Sequence, residues 1–398
     1  MSGGARRRIL FVTSNGTGLG HLTRSMAIAR RLDPDLEPLF VTFSAAAPVV
    51  AGLGFPVEYL ASYDRPGAGD DLSWTLRNRA RLRRMVDEIE PAAVLFDGTH
   101  PYERLLASLR FADAPLVWSR RAMWRRDADT SALWRSHLFD AVLEPGDFAE
   151  SADRGPTVSR RREAHRVGPM VLLDRSELLS REQAESELGL EPGRTNVLVS
   201  LGQGASIREA SRRCLEHLAG RGDVQVAAVS STLAGAGEVP PGVVALAATY
   251  PISRYLDAFD VAVSAAGYNG FSELVRLGPP ALFVAMDRRT DDQAARASWV
   301  EQAGAGRAVE SPSDPELERK LDELLDPELR AAMRSRLDGI EAPDGAAEAA
   351  DWLGRLARPQ GEAARLAETD LPGDSGLGSV PGTGAQAPGP GLPGAPRA

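Results

Sequence analysis

Short apolar runs that open into a loop and then a helix recur along this chain, and they recur in two sets. Ile9–Thr13, Leu39–Phe43, Ala92–Phe96, Pro115–Ser119 and Ala141–Glu144 form the first. Asn196–Leu201, Val224–Val229, Val243–Leu246, Val261–Val263 and Pro280–Ala285 form the second. Apolar runs without polar alternation read as strands buried on both faces, which is how parallel sheets are written. Strands alternating with helices make such a sheet doubly wound, so the expected class is α/β with two Rossmann-like domains. A length of 398 residues suffices for two full cores. Composition places the N-terminal domain over 1–165, a linker over 166–195 and the second domain over 196–358. The Gly/Pro-rich stretch 359–398 has too few large apolar residues to offset its ordering entropy and is expected to be a disordered tail.

The most informative stretch is Asp260 to Glu273. Val261-Ala-Val263 is a buried strand, Ala266-Gly-Tyr-Asn-Gly270 a turn, and Phe271, Leu274, Val275 and Leu277 recur at helical spacing until Gly278-Pro279 stops the helix. A glycine loop at a helix start presents free backbone N–H groups and the positive end of a dipole, a seat for a phosphate or diphosphate. Glu273 lies about one turn inside, where a carboxylate can hold ribose hydroxyls; it also reads as a solvated acid in a tight βα connection. The next strand, Pro280–Ala285, releases Asp287-Arg-Arg-Thr-Asp-Asp-Gln293 toward the same crevice, since open α/β sheets bind ligands outside their strands' carboxyl ends.

The pattern of strand, Ser-Ala-Ala-Gly267, Glu273, strand, then Asp292-Gln293 and Ala297 resembles the donor domain of GT-B glycosyltransferases, especially glycosyltransferase family 28. The resemblance implies two sheet domains facing across a cleft and a last helix, here about Ala346 to Leu356, that crosses back onto the first. It implies that Glu273 holds the nucleotide ribose, Gln293 the donor sugar, and Ile252 the neighbourhood of the base. Ala266, Gly267, Tyr268, Asn269, Gly270 and Asp292 complete the expected donor loops, joined by Gly202, Gly204 and Ser206 at the start of the second domain. Many family members carry Asn where Arg296 stands.

The first loop, Gly16-Thr-Gly-Leu-Gly-His21, lacks the Gly-x-Gly-x-x-Gly spacing of a dinucleotide fold, and the second strand ends without an acid for an adenosine ribose. A nicotinamide enzyme is therefore disfavoured. His21 directly after the glycines is a candidate base, because a helix N-terminus favours neutral imidazole, although a packed turn histidine has the same sequence. The loop resembles the His-containing first loop of family 28, which implies His21 as catalytic base. Asp97 closes a strand of the same domain and is the expected partner of its other ring nitrogen.

Gly18, Gly20, His100 and Trp124 are the expected acceptor contacts. Four of the six tryptophans lie between 74 and 134, interleaved with arginines, which suits a sugar cleft, an anionic acceptor or a membrane surface, and equally a solvated basic face. A net charge of −9 argues against a nucleic-acid partner. Lys320 is the sole lysine, so no Schiff-base or P-loop lysine is at hand, and the single Cys214 excludes an intrachain disulfide and reads as a core thiol. No metal site and no cofactor are expected. Arg6–Arg8 followed by Ile9–Val12 is too short for a secretory signal, and the expected location is cytoplasmic, with peripheral contact at the inner membrane face one option.

The expected activity is inverting transfer of a sugar from a nucleotide-sugar donor, UDP-linked by resemblance, to a hydroxyl acceptor, with a lipid-linked envelope precursor one candidate. Gly20-His21-x-x-Arg24 also resembles nucleotide-sugar hydrolases, and a catalytically silent nucleotide-sugar-binding protein is the other alternative.

Overall fold

The computed structural model describes residues 6–14, 19–62, 71–202, 205–229, 240–246 and 249–358. The expected tail at 359–398 lies outside them. The first half runs β1 (Arg7–Thr13), α1 (Gly20–Ala29), β2 (Leu36–Thr42), α2 (Ala47–Gly52), β3 (Val57–Tyr59), α3 (Asp71–Ile89), β4 (Ala93–Asp97), α4 (Glu103–Leu109), β5 (Leu116–Ser119), β6 (Ala141–Pro145) and β7 (Ala164–Val167). After α5 (Arg181–Leu188) come β8 (Thr195–Ser200), α6 (Ala205–Ala219), β9 (Val224–Val229), β10 (Val243–Leu246), β11 (Val261–Ala265), α7 (Tyr268–Leu277), β12 (Ala281–Val284), α8 (Gln293–Gln302) and β13 (Arg307–Val309). Helices α9 (Leu317–Leu325), α10 (Pro327–Asp338) and α11 (Gly345–Leu356) follow.

The strands form two wholly parallel sheets, ordered β3-β2-β1-β4-β5-β6-β7 and β10-β9-β8-β11-β12-β13. The doubly wound α/β reading therefore holds. The central strands are apolar along their length because the pleat feeds two cores. Ile9 and Phe11 point into one cluster and Leu10 and Val12 into another, and Leu198 and Val199 divide likewise. Cys214 is fully buried in the last of these, as its helical neighbours required.

Both sheets reverse their strand order at one place, between β1 and β4 and between β8 and β11. Side chains leaving the carboxyl ends there are not covered by a crossover helix, so ligands bind at such points. Thr13 is in register with Asp97, and Ser200 with Ser264, which sets the loop after β1 beside Asp97 and the loop after β8 beside the turn into α7.

Helix α11 packs on the first half: Ala346, Ala349, Ala350 and Leu353 share a core with Leu22 and Met26 of α1. Small residues on that face let the two helices approach closely. Asp344 caps α11 and also binds Arg31 Nε at 2.7 Å.

Candidate active site

His21 is the second residue of α1, and its ring meets the end of β4. Nδ1 lies 2.6 Å from Asp97 Oδ1. Arg24, three residues on and therefore on the same helix face, donates Nη2 to Oδ1 at 2.7 Å and Nε to Oδ2 at 3.1 Å. Ser119, at the end of β5, donates its hydroxyl to Oδ2 at 3.0 Å. Asp97 is wholly buried, and burial alone would raise its pKa; the Arg24 guanidinium and the His21 hydrogen bond outweigh this and hold it at about 2. The acceptor-only carboxylate fixes the shared proton on Nδ1. Arg24 Nη2, also 3.0 Å from Nδ1, is then a close neighbour rather than a second partner. Burial lowers the His21 pKa, Asp97 opposes, and Arg24 and Arg121 lower it again. The ring is thus neutral at physiological pH with Nε2 unprotonated, ready to take a proton.

His21 lines a cavity of about 410 Å³ together with His100, Arg121, Arg288, Arg289 and Asp291. The last three come from the loop after β12, so both halves build it. The halves are stitched around this cavity. Asn269 Nδ2 donates to the Gly20 carbonyl at 3.1 Å, and the Thr23 and Tyr250 hydroxyls are 2.9 Å apart. Arg125 N donates to Thr290 O at 2.7 Å, and Asp292 N to Met123 O at 2.9 Å. The wholly buried Arg296 donates Nε to Asp147 at 2.7 Å and Nη1 to Asp291 at 2.6 Å, joining carboxylates of the two halves. Arg121 reaches the same Asp291 oxygen at 3.0 Å.

On the donor side, β11 ends at Ala265, and Gly267 stands at the N-cap of α7 with no side chain to satisfy the first-turn amides. A Cβ at Gly267 would make ordinary contact with Gln293, whose Nε2 would lie 3.5 Å from it. A Cβ at Gly270 would be tighter, 3.1 Å from the Ser264 hydroxyl. Gly202, with φ of +89°, holds a left-handed turn that other residues resist. Glu273 has no cationic partner among the described residues. Burial raises its pKa to about 7, with Ser253 opposing; burial also raises that of the Tyr250 hydroxyl, with the Thr23 hydrogen bond opposing and the Glu273 charge adding. Ile252 opens the 3₁₀ turn Ile252–Ala258 and packs at the edge of the core.

Several expected contacts sit differently. Trp124 is buried and forms a bridge with Asp291 between the halves, so its ring is no open stacking surface. Tyr268 points away from the donor loop into the first half's core, where its hydroxyl donates to Gly146 O at 2.9 Å and accepts from Met170 N at 3.0 Å. Asp292 caps α8 through Ala295 N at 3.0 Å. Gln293 is buried, with its amide bound to Met286 N and Asp291. His100 is exposed on the cavity wall. Gly18, Gly204 and the Ser206 side chain lie outside the described residues. Asp147 carried no sequence signal, and Ser119 and Arg121 only that of the Trp- and Arg-rich stretch around them, since strand order brings them here.

Residues 196–349 match the glycosyltransferase family 28 C-terminal domain. A UDP-N-acetylglucosamine–N-acetylmuramyl-(pentapeptide) pyrophosphoryl-undecaprenol N-acetylglucosamine transferase from Nocardioides sp. is 29% identical over 321 residues, covering 74% of this chain and 83% of the relative. Its counterpart from Clavibacter michiganensis is 32% identical over 209 residues, 49% of this chain and 55% of that one. In fold, the chain is similar to MurG of Acinetobacter baumannii, with a TM-score of 0.57, 15% identity and coverage of 87% of this chain and 99% of that one. It is also similar to the spinosyn forosaminyltransferase SpnP, with a TM-score of 0.58, 16% identity and coverage of 88% and 100%.

Proposed function

We propose, from the premise that this chain is a GT-B glycosyltransferase whose second half is a family 28 domain, that it transfers a sugar from a UDP-linked donor with inversion. The acceptor in this reading is a hydroxyl on a lipid-linked precursor, the class named for the relatives. One observation carries it: a neutral imidazole held by a buried carboxylate shares a cavity with the loop after β12 of the family 28 domain.

In this mechanism Nε2 of His21 accepts the acceptor hydroxyl's proton as its oxygen attacks the anomeric carbon. The bond from that carbon to the diphosphate oxygen breaks on the opposite face, which inverts the centre. Asp97 stabilises the imidazolium that forms. The first-turn amides of α7, from Gly267 onward, and its dipole receive the leaving diphosphate. Glu273 accepts hydrogen bonds from the ribose. The exposed Leu72 and Leu76 at the start of α3, with Phe111 and Trp134, support contact with a membrane surface. No helix among the described residues is long and apolar enough to cross one.

The test is product analysis with UDP-sugars and a membrane-lipid extract. A glycolipid of inverted anomeric configuration, dependent on His21, is the expected result. Free sugar released from donor alone in stoichiometric amount would replace transfer by hydrolysis, and donor binding without any turnover would reduce the chain to a binding protein.

A further inference from the structure

The cavity beside His21 is cationic on a protein whose net charge is −9. Arg121, Arg288 and Arg289 line it, as does Asp291. That carboxylate is already engaged: its Oδ1 receives Arg296 at 2.6 Å and its Oδ2 receives Gln293 at 3.1 Å. Arg121 therefore shares a neutralised partner. Arg288 and Arg289 are exposed and make no ion pair among the described residues. Burial disfavours the charge on Arg121, Asp291 restores part of it, and the neighbouring Arg296 and Arg24 disfavour it again, so an incoming anion is favoured there.

This positive potential is not taken up by the donor as assigned above. The expected diphosphate seats Gly202 and Gly267 to Gly270 are not among the described residues that line the cavity, whereas His21 is. Resting on that reading of His21, we propose that the acceptor carries a carboxylate or phosphate close to the attacked hydroxyl, bound by Arg121, Arg288 and Arg289. Guanidinium forks suit either anion, since both present two oxygens to parallel N–H donors. Arg121 is the selective element, because its end is fixed by Asp291 beside the base, while the two loop arginines draw the anion in.

Ligand-observed NMR on the full chain decides the matter, with D-glucuronate, glucose 6-phosphate and methyl glucoside as probes and UDP as competitor. The expected result is that at least one charged sugar binds tenfold or more tightly than methyl glucoside, and the two charged probes separate carboxylate from phosphate. R288Q/R289Q, at exposed positions, and Arg121→Lys should each remove most of that preference with the melting temperature kept. Saturating UDP should leave it intact. Equal binding of neutral and charged sugars overturns the proposal, as does preference surviving in R288Q/R289Q or displacement by UDP. UDP binding read in the same samples tests the donor assignment separately: its absence would sink that reading whatever the charged sugars do.

Discussion

Arg24 grips Asp97 with two nitrogens, at 2.7 and 3.1 Å, inside a wall that leaves the arginine 3% exposed and the carboxylate none. Removing one partner of such a buried pair costs about 3–5 kcal/mol. Arg24→Met should lower unfolding free energy by about that amount in denaturant titrations. The same substitution lifts a cationic neighbour from His21, so its pKa should rise and the acid limb of kcat/KM should move to higher pH. An unmoved limb would show that Arg24 is structural only.

His21→Ala should lower kcat by about 10²–10⁴, the usual worth of general-base catalysis, while donor affinity is nearly kept. Asp97→Asn, by removing the charge that fixes the Nδ1 proton, should also act on kcat. Steady-state kinetics that moved only KM would remove His21 from the base role.

Glu273 offers a test with opposite signs for stability and binding. Its folded pKa of about 7 lies above the ordinary glutamate value, so the folded protein prefers the neutral acid. Stability from this group is full at low pH and falls as pH rises from about 4.5 to about 7. Glu273→Gln should therefore melt higher than the parent at pH 8, by about 1–3 kcal/mol of stability, and equally at pH 4. It should also weaken UDP-sugar binding about tenfold to a hundredfold, as the loss of hydrogen bonds to a charged group implies. Calorimetry showing unchanged binding would place the ribose elsewhere.

Tyr268→Phe keeps the ring but orphans the Gly146 carbonyl and the Met170 amide, both in the buried seam between the halves. The expected loss is about 1–3 kcal/mol, seen as a shifted denaturant midpoint at constant slope. No change would mean that water satisfies both groups.

The features legible in the sequence are those that depend on neighbours along the chain. Ile9–Thr13 and Val261–Val263 read as strands because burial on both faces demands an unbroken apolar run. Gly267 and His21 stood out because a glycine turn into a helix is a local event. The edge strands β3, β7 and β13 escaped notice, being short and, in β3 and β7, mostly accessible, so their sequences lack that run. The family resemblance added roles for Glu273 and Gln293 but not their surroundings.

Sequence alone thus determined the α/β class, the two sets of strands and the loops that open at their ends. Only tertiary structure decided what meets there. Asp97 lies 76 residues from His21, and Asp147 lies 149 residues from Arg296. Each pair exists because parallel strands brought distant carboxyl ends together and the seam between the halves closed over them. The same closure buried Trp124 and turned Tyr268 into the first half's core, outcomes of long-range strand order and packing that local pattern does not encode.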